Sequence, residues 1–231
     1  MVINILHFVE GAREARGLTV VIDVFRAFSL ACYVMDKGAA TIIPVGDIDI
    51  ALRLRKNISN SVLMGERKEK KPEGFDYGNS PYAIMNADLR GKTVIHTTSS
   101  GTQGLTSASL AAEIITGSFV NVNAIYHYIL QRKPEVVSMV CMGYRSYEPT
   151  DEDSLLAEYL SNLIGGKENN YPAMVEQMKN GSGKRFFDPQ NRPHAPTEDF
   201  YLCTDLDRFG FVLRAEPWKD GLLCLKKIIP V

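Results

Sequence analysis

The chain lacks the cysteine pattern of a zinc site or of a disulfide-stabilised domain. None of its four cysteines forms a CxxC pair, and each lies in an apolar stretch: Cys32, Cys141, Cys203 and Cys224. A small disulfide-rich or zinc-binding protein is therefore excluded. These residues are interpreted as small buried hydrophobic side chains of a protein in a reducing compartment.

Long apolar runs and a strong charge imbalance are also missing. No run approaches the roughly 20 apolar residues of a membrane-spanning helix, and the first residues lack the basic start and cleavage site of a signal peptide. The net charge of −1 excludes a strongly basic nucleic-acid surface as the default. We therefore expect a soluble cytoplasmic protein that binds neither membranes nor nucleic acid.

Strand-like and helix-like stretches alternate at least five times along the 231 residues. Residues 19–23 form a β-branched run that is typical of a strand buried on both faces, and residues 28–37 follow with helical spacing. Residues 11–17 are interpreted as a polar turn. The alternation predicts a mostly parallel sheet covered by helices on both faces, in one domain spanning residues 1–231. A separate subdomain formed by residues 167–231 is the alternative.

Polar residues follow several of the predicted strands, and in a parallel sheet these positions meet at one edge. Four groups share this placement: Asp23 with Arg26, Glu66 with Arg67, residues 97–102 and residues 143–145. The segment 97–102 favours an anion site because backbone N–H groups point outwards where a helix begins. Helix capping is the alternative explanation there, and it is also the alternative for Asp23.

The loop at residues 65–81 is much longer than the usual connection of about 4–6 residues, and loops of this length are commonly functional or disordered. It contains Glu66, Arg67 and Asp76. We expect both of its ends to be ordered around the site, and residues 68–73 to be exposed or to act as a lid.

Two charged stretches have an ordinary structural explanation, and a third stretch is excluded as a nucleotide-binding motif. Residues 68–71 are typical of a solvated charge run. Glu152 and Asp153 begin a predicted helix, where Thr150 and Asp153 resemble a capping box. Residues 180–185 contain Gly-Ser-Gly-Lys-Arg but lack the earlier glycine and the Ser or Thr of a nucleotide P-loop, which excludes that motif.

The acidic residues among these stretches are oxygen donors without accompanying His or Cys ligands: Asp23, Glu66, Asp76, Glu152 and Asp153. Clustered carboxylates suit a hard cation, Mg²⁺ above all. Arginines beside such a cation suit an anionic oxyacid, because the guanidinium fork matches phosphate oxygens. Together they predict phosphoryl transfer.

Three motifs give the chain a resemblance to a known family: residues 23–29 (Asp-Val-Phe-Arg-Ala-Phe-Ser), Gly-Glu-Arg at 65–67 with Gly-Phe-Asp-Tyr-Gly-Asn-Ser-Pro at 74–81, and residues 97–102. In this order they resemble the 2-phosphosulfolactate phosphatases over nearly the whole chain. The resemblance implies Mg²⁺-dependent hydrolysis of 2-phospho-3-sulfolactate to 3-sulfolactate and phosphate, a step of coenzyme M biosynthesis. It also implies a three-layer α/β/α fold that is not of the haloacid-dehalogenase type.

The motifs and the resemblance together give each candidate residue a role. Asp23, Arg26 and Glu66 are expected to be catalytic, and Arg145 is expected to neutralise the second anion of the substrate. The expected metal ligands are Asp23, Glu66, Asp76, Glu152 and Asp153. The expected substrate-binding residues are Arg26, Arg67, Asn79, Ser80, Thr98, Ser99, Ser100, Gly101, Thr102 and Arg145. Attack on phosphorus by a carboxylate or by metal-bound water is left open.

Two departures from the family pattern concern substrate contacts. Ser100 stands where Asn is expected before Gly-Thr, and Asp207 stands where Asn is expected after Cys203. A phosphatase of the same fold acting on another small phospho-acid is therefore an alternative, as is a non-catalytic protein that binds an anionic metabolite. A homodimer is expected because dimers are the commonest oligomers.

Overall fold

A computed structural model describes residues 1–230, in which one sheet of nine strands is flanked by helices. The strands are β1 Val2–His7, β2 Leu18–Ile22, β3 Thr41–Pro44, β4 Ser61–Gly65, β5 Thr93–Thr97, β6 Glu113–Gly117, β7 Val136–Cys141, β8 Val212–Pro217 and β9 Leu223–Ile228. The α-helices are α1 Phe8–Glu14, α2 Ala27–Asp36, α3 Ile48–Asn57, α4 Gly101–Ser107, α5 Val122–Arg132, α6 Asp151–Ile164, α7 Tyr171–Asn180 and α8 Thr197–Cys203. None of these helices is long and apolar enough to cross a membrane.

The strand order is β1-β7-β2-β6-β8-β9-β3-β5-β4. Strands β1, β7, β2 and β6 are mutually parallel, and so are β3, β5 and β4. Between the two groups, the pairings through β8 and β9 are antiparallel. The expected α/β class with a mostly parallel sheet flanked by helices is confirmed, with an antiparallel insertion at its centre.

The two parallel groups share one hydrophobic core built around α2. Nine of the ten residues of this helix are buried, which suits its Ala-Phe-Ser-Leu-Ala-Cys-Tyr-Val sequence. The same core contains Val21 of β2, Val94 of β5 and Met64 of β4. The three antiparallel pairings through β8 and β9 make the two parallel groups antiparallel to each other. Carboxyl ends from the two groups still meet, since Asp23 after β2 accepts a hydrogen bond from Gly101 N after β5.

The interpretation of residues 11–17 as a turn is wrong, because α1 covers most of that stretch. Gly11 lies inside α1, where a Cβ atom would stand 2.9 Å from Leu6 Cβ. Glycine is therefore present there for close packing of the helix against the preceding strand, and not for a turn.

The segment after α8 returns to the middle of the sheet. Strands β8 and β9 form a hairpin, and they pair with β6 on one side and β3 on the other.

The division of the chain into domains stays a prediction. The four cysteines are free and buried, as their apolar surroundings predicted.

Candidate active site

The carboxyl ends of β2, β4, β5 and β7 surround a pocket of about 480 Å³, including its open mouth. The start of α6 and the 3-10 helix Ser182–Phe187 close the other side. Four acidic and four basic side chains line the pocket: Asp23, Glu66, Glu69, Glu152, Arg26, Lys68, Arg145 and Arg185. Such a density of opposite charges is suited to a polar, ionic ligand.

Asp23 lies at the end of β2 with 6% of its surface exposed. Its Oδ1 accepts a hydrogen bond from Ala27 N at 3.0 Å, and its Oδ2 accepts one from Gly101 N at 2.8 Å. The carboxylate thus binds the first turns of both α2 and α4 while it also lines the pocket. Burial, together with the nearby charge of Glu66, raises the pKa of Asp23 to about 6.

Glu66 is the second buried carboxylate of the pocket, and it follows β4. Its Oε1 accepts a hydrogen bond from Ser99 N at 2.6 Å, and its Oε2 accepts one from Glu69 N at 2.8 Å. The side chain therefore joins the root of the 65–81 loop to the loop that follows β5. Two fixed backbone donors hold it in one orientation in the pocket.

Glu152 and Asp153 are adjacent in sequence but play different parts. Glu152 lines the pocket and accepts a hydrogen bond from the Ser182 hydroxyl, and burial raises its pKa to about 7. Asp153 accepts hydrogen bonds from Val24 N at 2.9 Å and Gly143 N at 2.8 Å. It ties the ends of β2 and β7 together and does not line the pocket, and its expected role as a metal ligand stays a prediction.

Asp76 is also displaced from its expected position. The loop returns to the side of β4, where Tyr77 forms a parallel bridge with Met64, so Asp76 lies beside the strand and not at its carboxyl end. Its Oδ2 accepts a hydrogen bond from Leu63 N at 2.8 Å, and its side chain is 37% exposed. Asp76 does not line the pocket with Asp23, so the structure does not bring these two expected metal ligands together.

Arg26 and Arg67 are engaged by the protein itself. Arg26 lines the pocket, but its Nη1 donates to Asp199 Oδ2 at 2.6 Å and to His194 O at 2.8 Å. Arg67 donates to Gly46 O at 2.9 Å and to Thr97 Oγ1 at 2.7 Å, away from the pocket lining. The guanidinium group of Arg67 therefore holds the ends of two strands, and its expected contact with substrate stays a prediction.

The remaining candidates divide into residues that line the pocket and residues that support it. Asn79, Thr98, Ser99, Ser100 and Arg145 line it, with the Arg145 side chain exposed at the mouth. The supporting residues are Ser80, Gly101 and Thr102, which do not line the pocket, and their expected contacts with substrate stay a prediction. The Ser80 hydroxyl donates to Asp199, Gly101 N donates to Asp23, and the Thr102 hydroxyl donates to Thr98 O.

Sequence reasoning missed Arg185, Lys68 and Glu69. Lys68 and Glu69 belong to the presumed charge run, yet both line the pocket. Arg185 belongs to residues 180–185, which lack the P-loop motif. Its positive charge partly opposes the rise that burial causes in the pKa of Asp23 and of Glu152. No strand-end position or motif marks Arg185, because it reaches the pocket from a 3-10 helix.

The carboxylates that line the pocket are oxygen ligands of the type that Mg²⁺ prefers. No group of three His, Cys, Asp or Glu within residues 1–230 is arranged closely enough to enclose a metal ion. Mg²⁺ commonly takes one or two carboxylates and completes its shell with waters and substrate oxygens. Asp23, Glu66 and Glu152 supply such oxygens, and a cation would offset the repulsion between Asp23 and Glu66 that helps raise the Asp23 pKa.

Comparisons with known proteins identify the family. The profile of 2-phosphosulpholactate phosphatase matches residues 6–216. A protein of Caldicellulosiruptor saccharolyticus named probable 2-phosphosulfolactate phosphatase is 36% identical over 98% of this chain and 92% of its own length. Relatives of the same name from Caldanaerobacter subterraneus and Thermoplasma volcanium are 40% and 28% identical, over 88% and 87% of this chain and 88% and 92% of their own lengths. The chain therefore belongs to the 2-phosphosulpholactate phosphatase family.

Proposed function

We propose that this chain is a Mg²⁺-dependent phosphatase that hydrolyses 2-phospho-3-sulfolactate to 3-sulfolactate and phosphate. The observation that carries the proposal is the meeting of Asp23, Glu66 and Glu152 in one pocket with Arg26 and Arg185. The names of the relatives support the substrate.

One or two of the three pocket carboxylates would hold the metal, and waters and substrate oxygens would complete its shell. When bound, Mg²⁺ would neutralise charge on the phosphoryl oxygens and favour displacement at phosphorus. Asp23 and Glu66 are fixed by backbone N–H donors on both carboxylate oxygens, so their orientation is set before substrate arrives. Such preorganisation avoids reorganisation during the reaction.

Arg26 orients the phosphoryl group from the floor of the pocket. Its side chain is 4% exposed and is held by Asp199, which in turn accepts hydrogen bonds from Ser80 Oγ and Tyr82 N. A guanidinium fixed on one side presents its remaining N–H groups in a defined direction. The hydroxyls of Thr98 and Ser100 line the same pocket and complete the polar surroundings of the substrate.

Phosphate release tests the proposal directly. We expect release from 2-phospho-3-sulfolactate, its loss with a chelator and its recovery when Mg²⁺ is restored. Activity that is indifferent to chelation would overturn the metal assignment. A parallel assay with a phospho-acid that carries carboxylate in place of sulfonate decides between the two substrate classes.

Absence of turnover on every phospho-acid of the panel, together with tight binding of the phosphoester, would favour a non-catalytic binding protein. The structure offers an argument against that reading, because buried carboxylates beside an anion raise its free energy unless a cation offsets them. The homodimer and the cytoplasmic location are part of the proposal, and light scattering of the purified protein tests the former.

A further inference from the structure

Arg185 is held at the edge of the pocket by contacts that leave part of its guanidinium group unused. Its Nη2 donates to Phe25 O at 3.2 Å, and its Nη1 lies 3.3 Å from Glu69 Oε1. The guanidinium carbon lies 5.9 Å from the ring centre of Tyr144 and 5.2 Å from that of Phe186. Aromatic neighbours of this kind fix the plane of a guanidinium group without using its hydrogen-bond donors.

The Nε atom of Arg185 is buried and has no acceptor among residues 1–230. A buried charged donor without a partner is unfavourable, so an unpaired donor of this kind calls for an explanation. Thr150 Oγ1 has the same property, and both residues line the pocket. Two unused polar atoms on the same pocket indicate a ligand that brings oxygen acceptors with it.

Glu69 is a weak partner for Arg185. The Glu69 side chain is 35% exposed and that of Arg185 is 21% exposed, so water screens their ion pair. The backbone N–H of Glu69 is bound separately by Glu66, so the Glu69 carboxylate can leave without movement of the loop. A ligand that engages two donors of the guanidinium group makes a stronger contact than this single one.

We propose that Arg185 binds a tetrahedral oxyanion of the substrate, either the phosphoryl group or the sulfonate. Until that oxyanion arrives and displaces it, the Glu69 carboxylate forms an ion pair with Arg185. This inference rests on the proposed function and assigns a specificity-determining residue to it. It also gives Glu69 a part in binding, as the partner of Arg185 that the oxyanion displaces.

The test compares Arg185→Gln with Lys184→Gln, which removes the same charge from the exposed neighbouring side chain. We expect Arg185→Gln to raise KM for 2-phospho-3-sulfolactate about 10–100-fold, as for loss of a charge-assisted hydrogen bond. Lys184→Gln is expected to match the wild type. Arg185→Lys, which keeps the charge but not the fork, should fall between them, and circular dichroism checks that each variant is folded.

Two ligands that need no turnover identify the oxyanion. Calorimetry measures binding of inorganic phosphate and of 3-sulfolactate, and kinetics compare 2-phospho-3-sulfolactate with 2-phospholactate, which lacks the sulfonate. If Arg185 binds the phosphoryl group, Arg185→Gln weakens phosphate binding and raises KM for both substrates equally. If it binds the sulfonate, the losses are confined to 3-sulfolactate and 2-phospho-3-sulfolactate.

Glu69→Gln tests the displacement. Removing the competing carboxylate should tighten binding of the same oxyanion several-fold, whereas weaker binding would overturn the displacement. Wild-type KM and binding of both ligands in folded Arg185→Gln would overturn the whole inference. Failure of the proposed function is separate, because it appears as wild-type protein that releases no phosphate, while the calorimetric comparison remains informative.

Discussion

The pocket has two walls that are built differently. The strand-end wall, formed by Asp23, Glu66 and residues 98–100, is anchored by backbone N–H groups at 2.6–3.0 Å. The helix wall, formed by Glu152 and Arg185, is anchored mainly by side chains such as Ser182 and Tyr144. Backbone anchors fix a position in the fold, whereas side-chain anchors can change partners. We infer that the first wall is rigid and that the second adapts to the ligand.

The strongest test of the rigid wall is Asp23→Asn. An amide would place a donor against one of the two backbone N–H groups and would remove a charge needed to hold a cation. We expect kcat to fall by at least about 10³-fold, the upper range for losing one electrostatic contribution in an active site. Initial-rate assays of phosphate release measure this. Asp36→Asn, at the exposed end of α2, is the control, and turnover near the wild-type value in Asp23→Asn would remove Asp23 from the mechanism.

Glu152→Gln probes the adaptable wall. The variant keeps the shape and the contact with Ser182 but loses the charge. We expect activity to fall about 10–100-fold, as for residues that support a metal site, and excess Mg²⁺ to restore part of it. Glu158→Gln on the exposed side of α6 is the matched control. An unchanged Mg²⁺ dependence in Glu152→Gln would show that Glu152 does not contribute to metal binding.

Asp153→Asn separates support of the pocket from its chemistry. Asparagine can accept from Val24 N or from Gly143 N but not from both, so one buried donor loses its partner. The expected result is a loss of about 1–3 kcal/mol in the free energy of unfolding. Urea denaturation measures it. A variant with wild-type stability and greatly reduced Mg²⁺ affinity would instead indicate that Asp153 is a metal ligand.

His96 makes the free energy of unfolding of the protein depend on pH. Burial, with a smaller effect of Arg67, lowers its pKa from 6.5 to about 4, and its Nε2 lies 3.2 Å from Asn79 Oδ1. The unfolded chain therefore binds a proton between pH 6.5 and 4 that the folded protein excludes, so this contribution to stability is lost as pH falls through that window.

Between pH 7 and 4.5 we expect wild-type stability to fall about 2–3 kcal/mol more than that of His96→Gln. The raised pKa values of Asp23 and Glu152 act in the opposite direction, but they are common to both proteins. Equal slopes of unfolding free energy against pH in the two proteins would contradict the assignment.

Asp76→Asn should have the smallest effect. Asp76 binds Leu63 N and lies 3.7 Å from Arg55 on a half-exposed surface. We expect less than about 1 kcal/mol of lost stability and unchanged kcat. A large loss of kcat in this variant, with Glu66→Gln as the reference, would show that the rigid wall extends further along the loop.

The order of strands and helices could be predicted because it depends on local patterns. The β-branched run of β2, which is buried along its whole length, illustrates this. The strand-end rule also predicted which acidic residues follow β2 and β4. On the helix wall Glu152 was predicted but Arg185 was not, because Arg185 meets Phe25 across 160 residues of sequence.

Asp76 shows a different limit. It lies only ten residues after Glu66, and the sequence alone does not reveal that the loop turns back to pair Tyr77 with Met64. A loop residue can lie close in sequence to a pocket residue and still bind only the neighbouring strand.

The β8–β9 hairpin has a consequence for how the chain folds. Because β8 and β9 lie between the two parallel groups, the two halves of the sheet remain unjoined until residues 212–228 are available. The contact between Ile42 and Leu225 joins positions far apart in sequence, and such non-local pairing slows folding. During synthesis, each half exposes an open strand edge that only the last part of the chain can cover.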